Sequence, residues 1–173
     1  MTVESTLTTL GLELPDLEEM YRPNPYGARH VSHVAVRDTL YISGHTPRRN
    51  NTYYLPGMIT RDLTLEQGYE AARYAAVTVL GVVKYALGDL DRVSQLVQMQ
   101  ALVHCPPGFT QFAHVLNGAT DLFVELYGER GKSTRMGIGT QAITANASGE
   151  LCVTLVFEGE GVRPGLARDY ASE

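Results

Sequence analysis

The amino-acid sequence predicts an α+β domain in which a single mixed β-sheet carries two long helices on one face. Three observations predict it. Two stretches, 65–87 and 112–126, place apolar residues every three or four positions, the period of a helix lying on a core. Five shorter stretches alternate or run apolar in the manner of strands. Their order, β-β, room for a short β, then α-β-α-β-β, suits one sheet covered by helices and not a bundle or a sandwich. At 173 residues the chain has the size of one domain. It reads as an N-terminal helix and irregular arm (1–29), a core (30–158) and a peripheral tail (159–173).

Each element has a local reason. Val3, Leu7 and Leu10 fall at helical spacing before Gly11 and Pro15, giving a short N-terminal helix. Residues 15–29 are expected to be irregular, since Pro15, Pro23, Pro25 and Gly27 oppose regular structure, while Tyr21 and Tyr26 offer aromatic surface for a pocket or a neighbour. Residues 30–36 alternate, Arg37-Asp38 makes a tight turn and 39–43 resume, which is a β-hairpin. Gly44 follows, where the backbone must bend or let a ligand approach, and 46–57 reads as a long polar loop. Thr64-Leu-Glu-Gln67 is a capping box that opens the first long helix, and Gly88 closes it. A largely apolar strand spans 92–104, Cys105-Pro-Pro-Gly108 breaks it, and the second long helix runs from Phe112 to Gly128. A strand around Arg135, a turn at 146–149 and an apolar strand at 151–157 complete the sheet. That last strand is apolar on both sides, with Leu151, Val153 and Leu155 on one and Cys152 and Val156 on the other. Burial against further copies of the chain is the simplest way to cover the second side.

Bulk properties exclude several function classes. A net charge of −5 gives no general attraction to a phosphate backbone, and the short basic clusters have no aromatic ladder among them, so a nucleic-acid partner is not expected. No apolar run reaches membrane-spanning length and no secretory leader is evident, so a cytoplasmic location without membrane association is expected. The two cysteines, Cys105 and Cys152, form neither a disulfide framework nor a zinc spacing. The five histidines show no metal-binding pattern, and no Walker loop, nucleophile elbow or dinucleotide fingerprint occurs. No metal and no cofactor are therefore expected.

The residue that most needs explaining is Arg135. In an extended chain it shares a face with Gly137 and Gly139, which leaves open space beside a guanidinium suited to a carboxylate or phosphate. The same pattern fits an arginine paired with a structural acid or exposed on an edge strand. His45, at a strand end behind Ser43-Gly44, and His30 are placed where proton-transferring groups often stand, although a surface histidine fits equally. His104 and His114 read as structural. Cys105 reads as an inert thiol in preference to a nucleophile. Asn117 is a poor helix former set among apolar neighbours, free to cap, to pack at an interface or to touch a ligand.

Several segments together resemble the RidA/YjgF reactive-intermediate deaminase family, in particular its longer, chorismate-mutase-like branch. They are Leu10-Gly-Leu-Glu-Leu-Pro15, Tyr41-Ile-Ser-Gly-His-Thr-Pro47, Gly88-Asp-Leu-Asp-Arg-Val93, Pro107-Gly-Phe-Thr110, Val115-Leu-Asn-Gly-Ala-Thr-Asp121, Tyr127-Gly-Glu129 and Ser133-Thr-Arg135. The resemblance implies a homotrimer around a central barrel, with a small-molecule cleft at each subunit boundary. It implies that Arg135 binds a substrate carboxylate, with Ser43, Gly44 and Asn117 also in the cleft, and cofactor-free hydrolysis of an enamine or imine to a 2-oxo acid and ammonia. Tyr26, His30 and His45 are the further residues assigned to that site. Three departures stand out. The family's last-strand glutamate has no evident counterpart in Glu150-Leu-Cys-Val-Thr-Leu-Val-Phe-Glu158, Gly137 stands near its usual cysteine, and the N-terminal tyrosine is replaced around His30. Carboxylate binding thus carries over better than hydrolysis, which keeps a non-catalytic trimeric binding protein as the alternative. The ribonuclease activity of some relatives comes third.

Overall fold

In the computed structural model, which describes residues 2–22 and 30–167, the sheet and its two long helices form as the sequence predicts. The hairpin strands are β1 (His33–Val36) and β2 (Thr39–His45). After two two-residue strands, β3 (Arg48–Arg49) and β4 (Thr52–Tyr53), the chain enters helix α3 (Leu65–Leu87), strand β5 (Val93–His104), helix α4 (Phe112–Tyr127), and strands β6 (Thr134–Thr140) and β7 (Gly149–Phe157). Two short helices precede them, α1 (Val3–Thr9) and α2 (Leu17–Met20). The five-stranded sheet has the order β1-β2-β7-β5-β6, antiparallel throughout except for the parallel β5–β6 pair, whose strands α4 connects.

Local chemistry sets the helix ends. Thr64 Oγ1 accepts from the Gln67 amide at 3.1 Å and Gln67 Oε1 accepts from the Thr64 amide at 2.8 Å, the reciprocal capping box. Gly88 ends α3 at φ +77, a conformation that costs glycine nothing. The arm expected to be irregular contains α2, because Asp16 accepts from the Glu19 amide and supplies the cap that the surrounding prolines obscure. The loop expected at 46–57 holds the β3–β4 hairpin, turned by Asn50 and Asn51 at φ +48 and +58.

One sheet face packs on α3 and α4. Leu40, Leu96, Met99 and Leu155 of the sheet and Leu80 and Leu122 of the helices are among the fully buried side chains, and truncating any one to alanine is expected to cost about 2–5 kcal/mol. Gly118 lets α4 sit on α3: a Cβ there would lie 1.9 Å from the Tyr69 carbonyl oxygen. The opposite face is the one the alternation left uncovered. Val34, Val36, Tyr41, Leu102, Met136 and Ile138 are exposed across four of the five strands.

Candidate functional site

The sequence-predicted residues fall into two groups on different parts of the sheet. The first surrounds the end of β2. Ile42 pairs with Val153 and His45 with Leu151, so Ser43 and Gly44 together oppose Cys152 alone. This bulge inserts one residue and turns His45 inward, leaving it 4% exposed where simple alternation would have put it outside. His45 Nδ1 lies 2.6 Å from the Ser43 carbonyl and Nε2 3.1 Å from the Tyr21 hydroxyl. Since a carbonyl only accepts, Nδ1 carries the proton and the Tyr21 hydroxyl donates to Nε2. Ser43 donates its hydroxyl to the Val31 carbonyl at 2.6 Å, which ties the bulge to the segment before β1.

A cavity of about 410 Å³ opens here, lined by Tyr21, His30, Ser43, Gly44, His45, Arg48, Tyr53 and Glu150 among others. His30 is exposed at its wall, its ring edge-on to Tyr21 at 6.3 Å. Gly44 is required by a close approach. A Cβ on it would stand 1.9 Å from Glu150 Oε1, so glycine makes room for a carboxylate lying across the bulge. The sequence reading found no carboxylate in the last strand suited to the site, and Glu150 corrects it. This residue is the second of β7 and precedes its apolar run, and only the β2–β7 register reveals its neighbour. Tyr26 lies outside the described residues.

The second group lies across the sheet, with β7 and β5 between it and β2. Arg135, on the edge strand β6, donates through Nη1 to Asn117 Oδ1 at 2.7 Å and to Thr120 Oγ1 at 3.0 Å, both on α4. The alternation placed Arg135 correctly with Gly137 and Gly139, but the open space expected beside it is absent. A Cβ at Gly137 would meet Leu116 Cδ1 at 2.7 Å, and one at Gly139 would meet Cys105 Sγ at 3.0 Å and Phe112 at 3.2 Å. Those glycines admit α4, which brings Asn117 and Thr120 to the guanidinium. Thr120 went unremarked in the sequence because a threonine one turn beyond an asparagine carries no signal until the helix is docked.

Other candidates are structural. His104 is buried with Nδ1 3.0 Å from the Ala147 carbonyl. Cys105 is buried, and burial raises its thiol pKa, the opposite of activation. Among the described residues, the carboxylates close enough to share a cation are Glu4, Asp89 and Asp91. They already serve the fold, with Glu4 bound to Lys84 Nζ and the Leu90 amide and Asp91 to the Val3 amide, and none lines the cavity. No described helix is long and apolar enough to cross a membrane.

The fold, with its bulged β2 and arginine-bearing edge strand, defines a class that comparison identifies. Residues 4–159 match the family described as "YjgF/chorismate mutase-like, putative endoribonuclease", and the chain belongs to that family. Protein TCP17 of Trypanosoma cruzi is 32% identical over 150 residues, covering 86% of this chain and 90% of that protein. Atu1372 of Agrobacterium tumefaciens, a protein of unknown function, superposes with a TM-score of 0.81 at 28% identity, over 91% of this chain and 94% of its own. TdcF of Escherichia coli, solved with bound serine, shares the fold at a TM-score of 0.55 and 17% identity, over 80% of this chain and 95% of its own.

Proposed function

We propose that the protein is a cofactor-free hydrolase of imines or enamines derived from amino acids, working as a homotrimer whose sites lie between copies. The observation that carries this reading is the Glu150 carboxylate lying across Gly44 in a cavity shared with Ser43, His45 and His30. A carboxylate beside a polar cavity is the group that iminium hydrolysis requires. It holds a water, takes a proton from it as the oxygen bonds to the iminium carbon, and the C=N electron pair moves to nitrogen. Returning the proton to nitrogen lets the C–N bond of the carbinolamine break, its electron pair leaving with ammonia, while the Glu150 carboxylate takes the hydroxyl proton as C=O forms. The two groups are far apart in one chain, so Arg135 of one copy, held by Asn117 and Thr120, would anchor the substrate carboxylate at the cavity of the next. His30 is the exposed group able to exchange protons with solvent. His45 is assigned the positioning of Tyr21 and the bulge, both its ring nitrogens being engaged. The serine bound by TdcF, an amino acid, fits a ligand of this kind.

The test is consumption of freshly generated 2-aminoacrylate or 2-iminobutyrate, read as ammonia and 2-oxo acid. Acceleration over buffer that depends on Glu150 supports hydrolysis. The second reading, a carboxylate-binding protein without turnover, is favoured by the existing pairing of Arg135 with Asn117 and Thr120, and predicts Arg135-dependent binding of 2-oxo acids with no acceleration. Cleavage of RNA is the third outcome, and the net charge of −5 disfavours it.

A further inference from the structure

Helix α4 presents neutral groups to Arg135 and turns its acids away from it. Its two acidic residues, Asp121 and Glu125, both reach across to α3. The Tyr69 hydroxyl donates to Asp121 Oδ2 at 2.9 Å, and Arg73 Nη2 donates to Glu125 Oε2 at 2.8 Å. Toward the guanidinium the helix offers Asn117 Oδ1 and Thr120 Oγ1. Among the described residues no carboxylate pairs with Arg135. Its positive charge is held in place without being neutralised, as an anion site requires.

Both contacts fall on one nitrogen. Nη1 has two hydrogens to give, and two acceptors stand 2.7 and 3.0 Å from it. The Thr120 hydroxyl donates to the Leu116 carbonyl at 3.2 Å, one turn earlier in the helix, which leaves its lone pairs for the arginine. Nε and Nη2 make no hydrogen bond to any described residue. These two donors lie on the other side of the fork with their N–H bonds side by side, and the edge between them matches the two oxygens of a carboxylate. The edge between Nη1 and Nη2, the other way to grip a carboxylate, is closed because Nη1 is engaged.

We infer that Thr120 is a positioning residue of the anion site: with Asn117 it occupies Nη1 and so directs the substrate carboxylate to the Nε–Nη2 edge of Arg135. This rests on the reading that Arg135 receives the carboxylate of a 2-oxo or 2-imino acid. The consequence is directional. A carboxylate gripped through both oxygens lies in the plane of the fork, and its bond to the next carbon points straight out from that edge. In these acids the next carbon is the reacting one. The two side chains of α4 therefore set where the C=N group lies relative to the neighbouring copy's Glu150. A cation that met one oxygen alone would leave that carbon free to swing.

The experiment titrates the full-length protein with 2-oxobutyrate. It is followed by calorimetry and by the arginine Nε–H signals in proton–nitrogen correlation spectra, the Arg135 signal being the one that Arg135→Ala removes. Wild type should bind and shift that signal downfield, as a charge-assisted hydrogen bond does. Thr120→Val, close to threonine in shape, should bind roughly 3- to 10-fold more weakly, the scale of one hydrogen bond, and show a smaller shift at saturation. Thr120→Ser keeps the hydroxyl and should restore both. Should Thr120→Val fold poorly, Thr120→Ala serves in its place with the same expectation. Binding that leaves the Arg135 Nε–H signal unmoved, or a hydroxyl-free variant that titrates as wild type, would overturn this inference alone. No binding by wild type, or an affinity that Arg135→Ala leaves unchanged, would overturn it together with the reading beneath it.

Discussion

The two regions that hold the predicted site residues are built in opposite ways. At the end of β2 the groups are enclosed: His45 is 4% exposed, Tyr21 is 6% exposed, and a bulge fixes their directions. On β6 the guanidinium is exposed on an edge strand and is held by two side chains of one helix. The first region can position a water and a proton; the second can hold an anion but has no described acid or base bonded to it. Neither is a complete site, and β7 and β5 keep them apart within one chain. A sheet whose far face is exposed and apolar offers a route by which one copy's edge reaches another copy's cavity.

The most severe test is aimed at the proposed assembly. Ile138 is 49% exposed on the uncovered face, so Ile138→Glu should leave the fold intact by circular dichroism. If that face is buried between copies, the same change buries an unpaired charge there. Light scattering should then report a monomer and hydrolysis should fall to the buffer rate. A wild-type monomer, or an active dispersed variant, would break the contrast between the two halves.

In the proposed assembly, Glu150→Gln should lower turnover by roughly 10²- to 10⁴-fold, the usual contribution of a positioned acid–base group, while 2-oxo acid binding is retained. Gly44→Ala should act in the same direction by displacing the Glu150 carboxylate. Arg135→Ala should instead weaken ligand binding by about 1.5–3 kcal/mol, with little change in thermal stability because the side chain is exposed. Co-refolding Glu150→Gln with Arg135→Ala sharpens the comparison. If each site takes one residue from each of two copies, random assortment restores roughly a quarter of the sites. If each site lies within one copy, it restores none.

The fold was legible from the sequence where the cause is local. The capping box at Thr64 and Gln67, the glycine stop at Gly88 and the alternation through β6 each lie within a few residues, and all three form as read. The parts that escaped are set by partners distant in sequence. The inward turn of His45 depends on Cys152 opposing two residues of β2. The nearness of Glu150 to Gly44 depends on the same register. The space beside Arg135 was misjudged because alternation tells which residues share a face, and only packing tells that α4 occupies it.

The smallest expected effect also separates the two regions, and it depends on the C-terminal segment. The Leu166 amide donates to Ser32 Oγ at 3.0 Å, and Ser32 Oγ lies 2.9 Å from His33 Nδ1. His33 Nε2 lies 2.9 Å from the Arg163 carbonyl, which must accept, so Nε2 carries the proton and the serine hydroxyl donates to Nδ1. The Ser32 carbonyl in turn receives the Ser43 amide at 3.0 Å, which links this chain of bonds to the bulge. Burial holds the His33 pKa below the ordinary histidine value, with the Arg163 carbonyl opposing the shift; Tyr85 packs on the ring and the Arg163 guanidinium lies over Tyr85. The folded state therefore resists a proton that the unfolded chain accepts. The stabilisation is complete above the unfolded value of about 6.5 and declines as pH falls from there toward the lower folded value. Hydrogen exchange should show the Ser43 amide losing protection over that interval while the β5–β6 ladder keeps its own. Equal loss in both places would mean that the cavity half and the arginine half open together, and the division between them would be one of position only.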